Sequence, residues 1–138
     1  MKLVIAGSRP VEGQPYPGIK CINAAVERSG FKDQTTEVVS GVAKGVDRIG
    51  IDWARANGKK VTQFKANWRG KPGKDFDRMA GMERNLRMAR YADAAVLIWD
   101  GVSSGTKNMH ERMERLGKPC KVFRFPEDFV VGEKDMKF

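Results

Sequence analysis

Histidine and cysteine are scarce in this chain: its 138 residues include one histidine, His110, and two cysteines, Cys21 and Cys120. Zinc centres are built from several such ligands at close spacing, so no metal site is expected. The two cysteines stand far apart and cannot form a disulfide framework. They read as reduced, mostly buried thiols. No apolar run approaches the roughly 20 residues that span a bilayer, so no membrane partner is expected. The apolar start runs into Gly7-Ser8-Arg9-Pro10 too early for a secretory signal. It reads as a first strand, and the chain as cytoplasmic. Linkers, low-complexity segments and internal repeats are missing too.

What is present suits one globular domain over residues 1–138. Hydrophobic residues make up 41% and charged residues 31%, enough for a core and a solvated surface. Lysine and arginine number 26 against 17 aspartates and glutamates, a net charge of +9. Such an excess attracts anions without choosing among nucleotides, nucleic acids and acidic proteins. The basic residues are spread along the chain and, taken alone, describe a solvated surface.

Runs rich in β-branched residues alternate with helix-like stretches, which predicts βαβ units. Strands are expected at 2–6, 36–39, 60–64, 94–99 and 119–125, and helices at 19–29, 45–57, 75–91 and 106–116. Together they make a Rossmann-like, three-layer α/β/α fold with a mostly parallel five-stranded sheet. Pro10, Pro15 and Pro17 forbid regular structure in the first loop. Gly30, Gly58 and Gly117 are helix stops. Val46, Ile49, Trp53 and Ala56 mark one face of the second helix. Asp75 is a cap or dipole partner for the third. The tail after Pro126 stays open between an extra edge piece and a loosely held end.

Ligands of open parallel sheets bind beyond the carboxyl ends of the strands. Three expected strands end there in glycine-bearing turns: Gly7-Ser8-Arg9, Ser40-Gly41-Val42-Ala43-Lys44-Gly45, and Asp100-Gly101-Val102-Ser103-Ser104-Gly105-Thr106. Glycine lets backbone approach a ligand closely, and helix N-termini offer unpaired amides suited to phosphate. One such turn is as readily steric as functional; three on one edge point to an anion. The candidate ligand-binding residues are Gly7, Ser8, Arg9, Ser40, Gly41, Lys44, Asp47, Gly101, Ser104, Gly105 and Thr106. Neither the Walker loop nor the dinucleotide fingerprint Gly-x-Gly-x-x-Gly occurs. No serine has a histidine partner that the sequence nominates, and His110 beside Glu111 reads as a helix-surface residue. Asp47, Asp93 and Asp100 fall near strand ends, where turn formation competes with acid–base work. Of the third helix's arginines, Arg87 and Arg90 read as a solvated face. Trp68 and Trp99 are candidates for base stacking, with core packing the plainer role.

Gly7-Ser8-Arg9, Ser40-Gly41-Val42-Ala43-Lys44-Gly45-Val46-Asp47, the stretch 68–74, Arg84-Asn85 with Met88, and Asp100 to Thr106 together resemble the SLOG superfamily of Smf/DprA and LOG proteins. More narrowly they are similar to its YspA-type branch, found in bacteria and phages. The resemblance implies a Rossmann-like fold and a nucleotide-type ligand. Gly105 and Thr106 match the family's Gly-Thr phosphate loop, and Ser40 and Gly41 its second glycine turn. Arg84 matches the arginine of LOG phosphoribohydrolases, which cleave a nucleoside monophosphate into base and ribose phosphate.

Two positions depart from that pattern. Met109 stands where LOG enzymes carry a glutamate, and Asn85 where they carry a lysine. Glu111 lies about 200° further around a helix and is not a simple substitute. Cleaving an N-glycosidic bond requires stabilising an oxocarbenium-like state, typically by a carboxylate. The expected function is therefore binding of a nucleotide or nucleotide-derived small molecule, as sensor or scavenger, with no cofactor. One alternative is a nucleotide N-glycosidase in which Arg84 is catalytic and Asp47, Asp100 or Glu83 replaces the glutamate. A second is DNA binding by analogy with DprA, not favoured because no nucleic-acid motif is present. Related domains pair through helices, so a homo-oligomer is expected.

Overall fold

Ala94-Ala95-Val96-Leu97-Ile98-Trp99, apolar throughout, forms a strand with five of its six residues buried. It lies beside the central strand of the sheet, covered on both faces, as such a run requires. The computed structural model describes residues 1–66, 74–131 and 134–135. In chain order they form β1 (Lys2–Gly7), α1 (Ile19–Ser29), β2 (Glu37–Ser40), α2 (Val46–Ala56), β3 (Lys60–Gln63), α3 (Lys74–Tyr91), β4 (Ala94–Trp99), α4 (Ser104–Arg115) and β5 (Cys120–Arg124). A 3-10 turn, Glu127–Phe129, and a short antiparallel pair, β6 (Val130–Val131) with β7 (Lys134–Asp135), follow. The tail therefore adds a small separate sheet, not an edge strand.

The five main strands are all parallel, in the order β3-β2-β1-β4-β5. This is the Rossmann-like α/β fold. Alternate residues of β1 feed two cores, as the strand period demands. Leu3 and Ile5 pack with α1 and α2, while Val4 packs with Met88 of α3 and Met109 and Met113 of α4. Strand order reverses between β1 and β4, the point at which open parallel sheets place their ligand crevice.

Several expectations shift in detail. The buried side of α2 carries Val46, Gly50, Ile51, Trp53 and Ala54, whereas Ala56 is exposed. Gly50 lets the helix approach β1 closely: a Cβ there would meet Ile5 Cγ2 at 2.8 Å, while Ile49 still packs against the core and Ala56 is the last residue of the helix. Trp53 reaches across to α1 and donates its indole N–H to Asn23 Oδ1 at 3.1 Å. Helix α3 starts at Lys74, which puts Asp75 inside its first turn. The Lys118 ammonium closes the other end, donating to the carbonyls of Ala89, Arg90 and Ala92 at 2.8, 2.9 and 2.6 Å. Both cysteines are free thiols, and burial pushes each up to about 12. Among the described residues, no helix is long and apolar enough to cross a membrane.

Candidate functional site

The β1 and β4 turns are stitched together where the strand order reverses. Ser8 donates its amide to the Ile98 carbonyl at 3.0 Å, and its hydroxyl accepts the Asp100 amide at 3.0 Å. Asp100 then organises its own turn. Its Oδ1 accepts the Val102 and Ser103 amides at 2.8 and 2.7 Å, and its Oδ2 accepts the Ser103 hydroxyl at 2.7 Å. Burial alone would raise the Asp100 pKa. The Ser103 and Val102 amides, with the Ser103 and Ser8 hydroxyls, outweigh it and hold the carboxyl below its ordinary value.

This turn decides how α4 begins. Ser103 occupies the N-cap position, but its hydroxyl is committed to Asp100, so no side chain caps the helix. The helix also starts at Ser104, two residues before the position expected from sequence. The amides of Ser104, Gly105 and Thr106 therefore form the open end of a helix dipole. The Cα face of Gly105 is bare: a Cβ there would meet nothing within 4 Å.

On the other side stands the β2 turn. The Ser40 hydroxyl donates to the Asp47 carbonyl at 3.1 Å and accepts the Val42 amide at 3.2 Å. Val42 has φ 61, a left-handed conformation in which a β-branched residue is strained. Asp47 is 5% exposed and accepts the Ala43 amide at 3.2 Å. Burial pushes its carboxyl up to about 6, against the pull of the Ala43 and Gly7 amides and of Arg84 and Arg9.

Helix α3 supplies Arg84 and Asn85. Arg84 donates through Nη1 to the Gly41 carbonyl at 3.1 Å and through Nη2 to Asn85 Oδ1 at 3.4 Å. Its Nε is buried and has no partner among the described residues. Burial, with Arg9 and Arg87 adding, draws its pKa below the ordinary value while Asp47 opposes. Asn85, only 6% exposed, donates to the Gly105 carbonyl and to Asn108 Oδ1, both at 3.2 Å. Asn85 is thus a tether between α3 and α4.

These turns enclose a cleft of about 840 Å³. It brings together Gly7, Ser8, Arg9, Asp47, Arg84, Asp100, Ser104, Gly105 and Thr106. Ser40 and Gly41 stand behind its wall, bonded to Asp47 and Arg84. Lys44 is exposed and off the wall. Gly101 and Trp99 are also off it, and both abut Arg124. The guanidinium lies 5.5 Å from the Trp99 ring, and a Cβ on Gly101 would meet its Nη2 at 2.3 Å. Trp68 lies outside the described residues.

Other sequence candidates separate clearly. Asp93 accepts the Lys2 amide at 2.7 Å at the opposite, amino edge of the sheet, so it belongs to no site with Asp47. Glu83 is exposed and does not line the cleft. His110 pairs with Glu114 at 3.1 Å on the surface of α4. Met109, 2% exposed, reaches the cleft but packs into the core, while Glu111 also borders the cleft. A helix entering a cleft with its N-terminal turns presents more than one side to it.

Tyr16 lies off the cleft wall but braces the β1 turn, a role that sequence reasoning missed, as it did the lining residues Ser103, Lys107 and Asn108. Its hydroxyl donates to the Ser8 carbonyl and accepts the Val46 amide, the latter at 3.0 Å, tying the first loop to the start of α2. Nothing in a proline-rich loop signals such a clamp.

A family model described as YAcAr, the YspA, cpYpsA-related SLOG family, matches residues 1–70. Among solved structures, DNA processing protein A (DprA) from Streptococcus pneumoniae is similar, with a TM-score of 0.63 and 20% identity. The match covers 88% of this chain and 49% of that one, so the chain spans about half the length of DprA. Likeness at that identity speaks for the fold alone. No curated protein matches the chain.

Proposed function

The chain belongs to the YspA, cpYpsA-related SLOG family, and on that footing we propose that it binds a nucleotide or nucleotide-derived ligand, as sensor or scavenger, at the carboxyl edge of its sheet. The observation that carries this reading is the uncapped N-terminus of α4, opening beside the bare face of Gly105 into a cleft that Arg9 and Arg84 also line. Phosphate suits that end. Backbone amides and the dipole favour an anion together, and hydrogen bonds to a charged partner contribute about 1.5–3 kcal/mol each. Arg84 is held in place by Gly41 and Asn85, so little side-chain freedom is lost when an anion arrives.

The carboxylates favour binding over N-glycosidic cleavage. Asp100 is saturated by turn hydrogen bonds, and a thioether stands at the position of the LOG glutamate. Asp47, buried beside Arg84, already accepts the Ala43 amide, which leaves Glu111 on α4 as the cleft-bordering acid that the N-glycosidase reading would need.

The test is a panel of nucleoside monophosphates, NAD and ADP-ribose, read by thermal shift for binding and by chromatography for released base. A ligand that prefers the folded state raises the melting temperature. The expected result is a specific shift with no free base. Base released by wild type but not by Arg84→Ala would replace this reading with the N-glycosidase. No shift with any member, alongside binding of oligonucleotides that weakens steeply with salt, would favour DNA binding.

A further inference from the structure

Against the same β1 turn lies a second hollow, of about 280 Å³, which shares Ser8, Arg9, Val11 and Asp100 with the cleft. Its remaining walls are chemically unlike the cleft. Pro15, Tyr16, Pro17, Ile98, Phe125 and Pro126 supply rings and aliphatic surface, and Gln14 and Glu127 stand at its rim. The Tyr16 ring is fixed, because its hydroxyl both donates to Ser8 and accepts from Val46. Ile98 is 1% exposed and Phe125 9%, so the floor belongs to the packed core. The hollow is thus preformed, a property that lowers the ordering cost of binding.

A nucleotide is itself a molecule of two halves, a flat apolar base and an anionic phosphate. It needs two unlike compartments in contact, joined where the ribose passes. Ligand pockets commonly measure about 300–1,000 Å³. The smaller hollow sits just under that range, with room for one ring system and not for a whole nucleotide. The Gln14 side-chain amide both donates and accepts, as the polar edge of a heterocycle requires. Arg124 holds Glu127 at 3.4 Å, which leaves a carboxylate oriented near the same rim.

Resting on the nucleotide reading above, we propose that this second hollow is the base site: the heterocycle enters between Tyr16 and Pro126 while the phosphate sits on the N-terminus of α4. The ribose then crosses the ridge formed by Ser8 and Asp100.

Backbone NMR of the full chain tests this with two kinds of probe, ribose 5-phosphate and the four common nucleoside monophosphates. The expected outcome is that ribose 5-phosphate moves the amides of Ser104, Gly105 and Thr106, with Ser8 and Asp100 on the ridge, and leaves Gln14, Tyr16 and Glu127 unmoved. At least one monophosphate moves these and also Gln14, Tyr16 and Glu127, and binds about tenfold or more tightly, the scale of stacking one base. If the monophosphates bind but leave Gln14, Tyr16 and Glu127 unmoved, the base lies elsewhere. The proposal is then wrong while nucleotide binding stands. If neither these probes nor NAD and ADP-ribose bind, the nucleotide reading falls and takes this one with it.

Discussion

Asp47 and Arg84 meet across the Cα of Gly41: a Cβ on that glycine would stand 2.9 Å from Asp47 Oδ2 and 3.1 Å from Arg84 Cζ. One missing methyl group lets a buried acid on α2 and a partly buried guanidinium on α3 share a wall of the cleft. Gly41→Ala should push the pair apart. Overpacking of this kind typically costs about 1–3 kcal/mol. Urea unfolding should show that loss, and ligand-induced thermal shifts should shrink with it, because Arg84 is displaced.

Gly105→Ala should do the opposite to the free protein. The site is helical and a Cβ finds open space, so the substitution should add about 0.4–1 kcal/mol by restricting the unfolded chain. If phosphate docks on that face, the same methyl group obstructs it. The expected result is a higher melting temperature without ligand and a smaller shift with it. Gly105→Val should lose the ligand shift altogether. An unchanged shift in Gly105→Val would remove α4 from the binding site.

Asp47 gives stability a distinct pH dependence. Its folded pKa is raised from the model-compound 3.8 to about 6, so the folded protein takes up this proton before the unfolded chain does. Stability from this group therefore rises as pH falls through about 6 and levels off below the unfolded value near 4. The full swing is on the order of 3 kcal/mol. Asp100 and Glu37 have lowered values and work the other way, so the contribution is isolated as a difference. Wild type should gain on Asp47→Asn between pH 7.5 and 4.5 in denaturant titrations. A flat difference would show that Asp47 is ionised throughout.

Lys118→Met should weaken the fold without touching the ligand. The ammonium serves three carbonyls at the end of α3, and methionine keeps most of the stem but none of the donors. A loss of about 1–3 kcal/mol is expected, seen as a lower unfolding midpoint. The monophosphate affinity at a temperature where both proteins are folded should stay the same.

Much of this architecture could be read from the chain because it rests on local signals. The apolar run of β4 and the glycine turns after β1, β2 and β4 locate the sheet and the edge at which the cleft opens without any tertiary knowledge. The face of α2 could be read in part: Val46, Ile49 and Trp53 join the core, whereas Ala56 is exposed and the close approach of Gly50 to Ile5, which joins separate elements, left no periodic signal. The early start of α4 depends on Asp100 gathering Ser103, a competition between side chain and helix that propensity does not resolve. Tyr16 and Asn85 brace the site through partners distant in sequence, Val46 and Gly105, so those roles become visible only when the chain is folded. Asp93 shows the converse: nearness to a strand end does not say which end, and Lys2 claims it at the wrong one.

The strand order has a consequence for how the protein is made. Leu3 pairs with Ala94 and Gly7 with Ile98, so the central strand acquires its second neighbour only after most of the chain has left the ribosome. Until then β1, β2 and β3 can assemble on one side, and the apolar border of β1 stays open. An unpaired border of that kind invites pairing with other chains. Nascent chains stalled before Ala94 should therefore be the species that chaperones hold, and release should coincide with the emergence of β4.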